Sequence, residues 1–560
     1  MRRRHRRLRT NLAVVLVLCC VISSSFVFGG RPWPRECNGV VKHVTISVGQ
    51  DPTTEMIVSF ATDWASDVAG DIFGEKDVEA PIGAVWIGTH PSRLFRFVEE
   101  QEYPITYSSP LMNGRTYYAP FQHHITIRNL QPNTTYFYAA VSGPRSEGIE
   151  ALRGIPPPTP SHLRSRTADS SSSSNGRYRD DDDDIPDNQL GDPIELDLNQ
   201  RHRQRRRKLR PKQYDGFHKP CPKAHIIRSF RTAPITHTGP VKFAIIADMG
   251  QFEHSQDVMR HLTEHREGVN AAILVGDIAY TRDDREWDTF FDFLEDFSIF
   301  DEVPLQIVAG NHDIELRDGR IFQAYENRFR MPRVHPPELH TYELPEGVIY
   351  DMEAAPYPWP YEWGNGYYSF IYGPSKHIIV NAYAAMEPNS TQYQWIEQEL
   401  KSVDRTKTPW VLVSIHVPLY NTYNIHLADL SILAGRKYLE PLMVKYGVNV
   451  VFGGHIHAYQ RTHHVANRAL HPKGAMHITI GAGGRQCWGQ FLNQEPEEWL
   501  AARDASYFGY GMFEIHNRTH AEWTWYALTS SEDYDEDGDE PMPLPRLEDD
   551  HVWIENKHIL

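Results

Sequence analysis

Seven residues with metal-ligating side chains each lie just beyond a short apolar run, and their types define a chemistry. They are Asp248, Asp277, Tyr280, Asn311, His416, His455 and His457. They fall in the clusters Asp248-Met249-Gly250, Gly276-Asp277-Ile278-Ala279-Tyr280, Gly310-Asn311-His312-Asp313, His416 after the run 411–415, and Gly454-His455-Ile456-His457. Ligands gather beyond the carboxyl ends of strands in open α/β sheets. Seven donors at one edge of one sheet therefore predict a site for two metal ions. Asp277 can bridge both ions through its two oxygens, and Asp248 offers a hard anion to one of them. Tyr280 follows Asp277 by three residues, so a tight turn can bring both to the same ion. A phenol titrates at about 10, and only a strongly polarising cation holds it as phenolate near neutrality. Hard oxygen donors with one imidazole, His457, favour Fe(III) there. Asn311, His416 and His455 form a neutral set for a divalent ion, with Zn, Mn and Fe(II) left undecided.

Each residue alone has an ordinary explanation. An Asp after a strand is commonly a turn former, a Tyr commonly packs, and the chain contains 29 histidines. The weight lies in the recurrence of Gly-Asp, Gly-Asn-His-Asp and Gly-His-x-His, in that order, at successive strand ends.

The elements that must position these residues lie between 240 and 528. Buried-strand runs at 241–247, 271–275, 305–309, 378–380, 411–415 and 448–452 alternate with helical patterns such as 394–401 and 431–445. This predicts an α/β layered domain of βαβ units. Ahead of it, residues 38–235 carry short alternating strands separated by turn signals, an all-β sandwich pattern. That region contains a low-complexity insert at about 144–219, with Ser170–Ser174, Asp180–Asp184 and the basic run 201–208. Opposed charge blocks with few apolar residues build no core. The expectation is a disordered surface loop, with a docking tract or a processing site at Arg203-Gln204-Arg205-Arg206 as functional alternatives. Residues 529–560 read as a solvated acidic tail. Its Asp533, Asp535 and Asp537 begin like a calcium loop, but Leu544 stands where the bidentate Glu is needed. Gly481-Ala482-Gly483-Gly484 reads as a tight turn near the site, because no Gly-Lys-Ser/Thr follows it.

Residues 1–30 combine six arginines with the apolar stretch Leu12–Ile22, the pattern of a cleaved secretory signal peptide; a signal anchor is the alternative. No later segment is apolar enough to span a bilayer. Loss of those arginines takes the formal charge from −16 to −22. An acidic whole excludes a general nucleic-acid binder. Beyond the signal, Cys37, Cys221 and Cys487 allow at most one disulfide; Cys37 and Cys221 flank the same domain, and the pairing stays open. Sequons at Asn133, Asn389 and Asn517 fit glycosylation on a secretory route.

The five clusters resemble the five motifs of the purple acid phosphatases, a branch of the calcineurin-like metallophosphoesterases distinguished by its Tyr. Trp287-Asp288-Thr289 and the run 455–462 are also similar to the family, and the sandwich resembles the fibronectin III-like domain of its plant-type members. The resemblance covers most of 38–143 and 225–528. It implies Fe(III) on Asp248, Asp277, Tyr280 and His457, and a divalent ion on Asn311, His416, His455 and the shared Asp277. It implies that His312 faces substrate and that His426 is a second histidine outside the ligand set. Ile425 stands where some plant members have another histidine, and Asp313 replaces the family's usual Glu.

The expected activity is that of a secreted acid phosphatase on small phosphate monoesters, with the two metals activating water for in-line attack. An acidic optimum would suit an extracellular, vacuolar or lysosomal setting. A phosphodiesterase or nucleotide pyrophosphatase on the same centre, and a non-catalytic surface recognition protein, are the alternatives. Homodimer formation stays open.

Overall fold

The computed structural model describes residues 41–62, 80–111, 114, 116–154, 226–235, 239–317, 319–332, 357–358, 361–362, 364–493, 495–530 and 550–559. The signal-like segment, Cys37, Cys221, most of the charged insert and the stretch 531–549 lie outside them.

Alternating apolar residues build the expected N-terminal sandwich. Val41–Val48, Met56–Thr62 and Phe121–Ile127 form one antiparallel sheet. Arg96–Glu99, Ile82–Gly88, Thr135–Gly143 and Arg228–Arg231 form the other. Their inward residues, among them Val58, Phe60, Val85, Ile125, Tyr138 and Phe230, share one core. The insert starts later than its composition predicts. Ile149–Gly154 is a short helix, and its Leu152 packs with Ile82, Ala84 and Val141. A hairpin of Ser108–Pro110 and Thr116–Tyr118 reaches the second domain. There the buried Arg328 guanidinium donates to the hydroxyls of Tyr107 at 2.8 Å and Tyr117 at 2.6 Å, and to Asp288 at 2.9 Å.

The second domain packs two sheets against each other. In the first, Leu305–Ile307, Val269–Leu274 and Val241–Ile246 run parallel, and Tyr507–Ile515 and His520–Ser530 continue antiparallel. In the second, Ser375–Val380, Trp410–Ile415, Val450–Gly453 and Ala475–Ile480 run parallel. Parallel strands are covered on both faces, which is why these read as continuous apolar runs. Between the sheets Phe452 packs on Phe513 and Trp523, and Phe243 on Tyr372 and His377. No helix among the described residues is long and apolar enough to cross a membrane.

Two expectations are corrected. The donors come from two sheets, not one. Asp248, Asp277 and Asn311 follow the parallel strands of the first sheet, whereas His416, His455 and His457 follow strands of the second. Apolar periodicity marks a strand without saying which sheet it joins. The acidic tail is also not wholly a tail. Asp550–Glu555 pairs with His520–Ser530 as the edge strand of the first sheet, turning Ile554 inward. Arg461 takes the Asp550 carboxylate in two bonds of 2.7 and 2.8 Å. The acidic stretch before it masked this strand in the composition.

Candidate metal centre

Each sheet ends in tight loops because its motif glycines leave room. Gly276 adopts φ +85°, and a Cβ there would lie 2.3 Å from His416 Nδ1. At Gly310 a Cβ would lie 2.2 Å from the Asp277 amide nitrogen. A side chain at either position would push the two sheets' loops apart. Asp248, Asp277, Tyr280, His426 and His455 themselves occupy left-handed backbone, with φ of 51° to 67°. Such backbone costs about 1–2 kcal/mol per residue and recurs where function over-determines geometry.

Asp313 fastens the loops together. Its carboxylate accepts from the amides of Asp277 at 3.0 Å, Ile278 at 2.9 Å and Gly310 at 2.8 Å. Burial first, and the Asp277 charge second, push its carboxyl up to about 8.

Tyr280, Asp248 and His457 converge from both sheets. The Tyr280 hydroxyl donates to Asp248 Oδ1 at 2.9 Å and lies 3.0 Å from His457 Nε2. One ligand atom from each of Asp248, Asp277 and His457 lies within 4.8 Å of the others. Burial, then the Asp248 and Asp277 charges, push the phenol well above its usual range. A neutral phenol beside two buried carboxylates is the state in which a cation is missing from the chemistry of the donor set. The residues fit a hard, highly charged metal ion.

The second set surrounds Asn311. Its Oδ1 lies 3.2 Å from His416 Nε2 and 3.0 Å from His455 Nδ1. His416 Nε2 is also 3.4 Å from Asp277 Oδ1. His416 Nδ1 lies 2.8 Å from the Val275 carbonyl, which fixes Nδ1 as the donor and leaves the Nε2 lone pair for an ion. Burial pushes Asp277 up, but His416, His312 and His455 outweigh it and hold the carboxyl down at about 2. Burial pushes His455 down to about 4, keeping it a neutral ligand. Two imidazoles, an amide and a carboxylate fit a divalent ion.

His312 and His426 flank the pair at the mouth, with side chains 24% and 21% exposed. The His312 amide donates to Asp277 Oδ1 at 2.8 Å, and its ring lies over Tyr280 with centroids 4.6 Å apart. The His426 ring is 4.2 Å from that of His455. All nine residues singled out from sequence therefore meet in one place.

Two others do too. Asp429 Oδ2 bonds both His426 Nδ1 at 3.0 Å and His455 Nε2 at 2.9 Å. Burial raises its carboxyl, but these histidines hold it well below the usual range. The spacing His426-x-x-Asp429 was its only sequence signal. Arg485 follows the Gly481–Gly484 turn; its amide donates to the Asp248 carbonyl at 3.1 Å. Its guanidinium carbon lies 4.8 Å from the Phe252 ring centroid and 5.4 Å from that of Tyr280. This puts a permanent cation beside the phenol, for which one Arg in a loop gave no warning.

Three family models match in succession. They are the purple acid phosphatase N-terminal domain over 41–150, the calcineurin-like phosphoesterase over 241–459, and the iron/zinc purple acid phosphatase-like protein C over 474–536. The chain belongs to the purple acid phosphatases. Purple acid phosphatase 18 of Arabidopsis thaliana is 31% identical over 319 residues, covering 56% of this chain and 63% of that protein. Purple acid phosphatase 1 of Ipomoea batatas is 30% identical over 341 residues, covering 57% and 63%. The Fe(3+)-Zn(2+) purple acid phosphatase 12 of A. thaliana is 32% identical over 308 residues, covering 51% and 59%. The chain thus spans about three-fifths of the length of these relatives. Purple acid phosphatase PPD1 from yellow lupin (Lupinus luteus) seeds shares the fold, with a TM-score of 0.58 at 16% identity, covering 87% of this chain and 72% of that one.

Proposed function

We propose that this purple acid phosphatase is a metal-dependent hydrolase of phosphate monoesters, acting on small molecules along a secretory route. The observation that carries the reading is the convergence of Tyr280, Asp248 and His457 beside Asp277, Asn311, His416 and His455. Asp248, Asp277, Tyr280 and His457 would hold Fe(III); Asn311, His416, His455 and Asp277 would hold the divalent ion. The relative named for Fe(3+) and Zn(2+) favours zinc among the candidates. Such a pair supplies positive charge that acidifies water and neutralises a phosphoryl group.

The chain's own groups do the rest. His312 and Arg485 bind phosphate oxygens at the Tyr280 side, Arg485 as a charge that persists at any working pH. His426 faces the other side. Its Nδ1 is tied to Asp429, so Nε2 is the atom that gives a proton to the departing oxygen. The Asp429 carboxylate stabilises the doubly protonated ring, as a carboxylate beside an imidazole does in other general acids. Asn133, Asn389 and Asn517 are all exposed, as glycan acceptors must be.

The test is phosphate release by purified protein from a monoester and a diester in parallel, with metal analysis of the same sample. Faster monoester turnover with iron and one further metal is expected. Protein holding two metals yet releasing no phosphate would sink the reading, and faster diester cleavage would move it to a phosphodiesterase.

A further inference from the structure

The mouth of the metal centre carries an apolar rim that packing alone does not explain. Of thirteen large apolar side chains left exposed among the described residues, six are Leu427, Leu430, Leu433, Trp488, Phe491 and Leu492. They come from two short segments, and those segments lie against each other. The Leu492 amide donates to the Thr422 carbonyl at 2.8 Å, and the Asn424 amide to the Gln490 carbonyl at 2.8 Å. The rings of Tyr423 and Phe491 have centroids 5.6 Å apart.

Both segments are fastened to the site. Leu427 directly follows His426. The Trp488 amide donates to the carbonyl of His457 at 3.1 Å. Yet Leu427 remains 44% exposed and Trp488 46% exposed. Clustered exposed apolar groups beside a polar cleft mark a surface that is covered in use.

What covers this one follows from the depth of the site. Asp277 and Asn311 are buried at its floor, at 1% and 2% exposure, while the histidines His312 and His426 stand part-exposed at its mouth. A phosphate seated on the floor directs its alcohol outward, across Leu427 and Trp488. Resting on the phosphatase reading, we propose that the rim selects phosphate monoesters of apolar alcohols, those bearing an alkyl chain or a hydrophobic ring, over esters of polyols.

Binding separates this from activity. The dissociation constants of ethyl-, butyl-, hexyl- and octylphosphonate are measured calorimetrically on the metal-loaded protein. Affinity is expected to tighten about twofold for each methylene, the gain for a group half-buried on the rim. Trp488→Ala and Leu427→Ser should each flatten the series, and Trp488→Phe should restore most of it. Affinity independent of chain length in the wild type, or an unchanged slope in both truncations, overturns the proposal. Steep phosphonate binding without phosphate release from octyl phosphate would remove the activity and leave the rim. Flat binding with rapid release would remove the rim alone. Phosphatidic acid in phosphatidylcholine vesicles forms a second arm: release from octyl phosphate only assigns a soluble ester, and release from both assigns a membrane-borne one.

Discussion

The phenol oxygen of Tyr280 lies 3.0 Å from His457 Nε2, across 177 positions of sequence and across two different sheets. One residue follows a strand of the first sheet and the other a strand of the second. The centre is therefore a clasp between the sheets. Whatever weakens the packing of one sheet on the other also spreads the ligands.

The same pair makes the first prediction. A phenolate on Fe(III) gives the protein a visible colour, and Tyr280→Phe should abolish that absorption band. Because six of the seven ligands remain, metal analysis should still find iron at more than half of the wild-type content. An unchanged visible spectrum in the variant would show that Tyr280 is not bound to the metal.

Asp429 holds His455 through the nitrogen that faces away from Asn311. Outer partners of this kind are worth about 10–100-fold in metal affinity. Asp429→Asn should weaken the divalent ion by that factor, read by dialysis against a metal buffer, and leave the iron in place. Equal loss of both metals would mean that the substitution had disturbed the fold instead.

Arg485 is expected to act on the phosphate and not on the alcohol. Arg485→Gln should raise KM about tenfold for every monoester and weaken inhibition by inorganic phosphate to the same degree, in line with the loss of a charge-assisted bond. Arg485→Lys should recover part of this. A lower kcat at constant KM would assign the residue to another step.

Acid should destabilise the fold through two core histidines far from the metals. His377 is stacked on Phe370 with ring centroids 4.6 Å apart. Burial pushes it down from 6.5 to about 3. Burial, with the Arg436 charge, takes His477 from 6.5 to about 3 as well. Between pH 6.5 and 3 the unfolded chain accepts protons there that the folded chain refuses. Their stabilisation is thus complete above pH 6.5 and is lost as pH falls toward 3, by about 1.4 kcal/mol per pH unit for each fully neutral ring. Urea unfolding of metal-depleted protein at pH 6.5, 5.5 and 4.5 should show a shallower slope in His377→Phe than in wild type. Identical slopes would mean that His377 is charged in the folded state.

The sequence by itself determined the ligand set, because the ligand types, the glycines beside them and the apolar runs ahead of them are local features. It also determined the two domain patterns, since periods of two and of about three and a half residues are written in neighbouring positions. Tertiary structure alone decided that the ligands are shared between two sheets, since a strand's own residues do not name its partners. It alone brought in Asp429 and Arg485, single charged residues whose meaning depends on what lies across the cleft. It alone drew Asp550–Glu555 into the first sheet, where pairing with His520–Ser530 and the Arg461 guanidinium outweigh an acidic composition. Local chemistry is set by neighbours in the chain, whereas convergence is set by packing, and the site needs both.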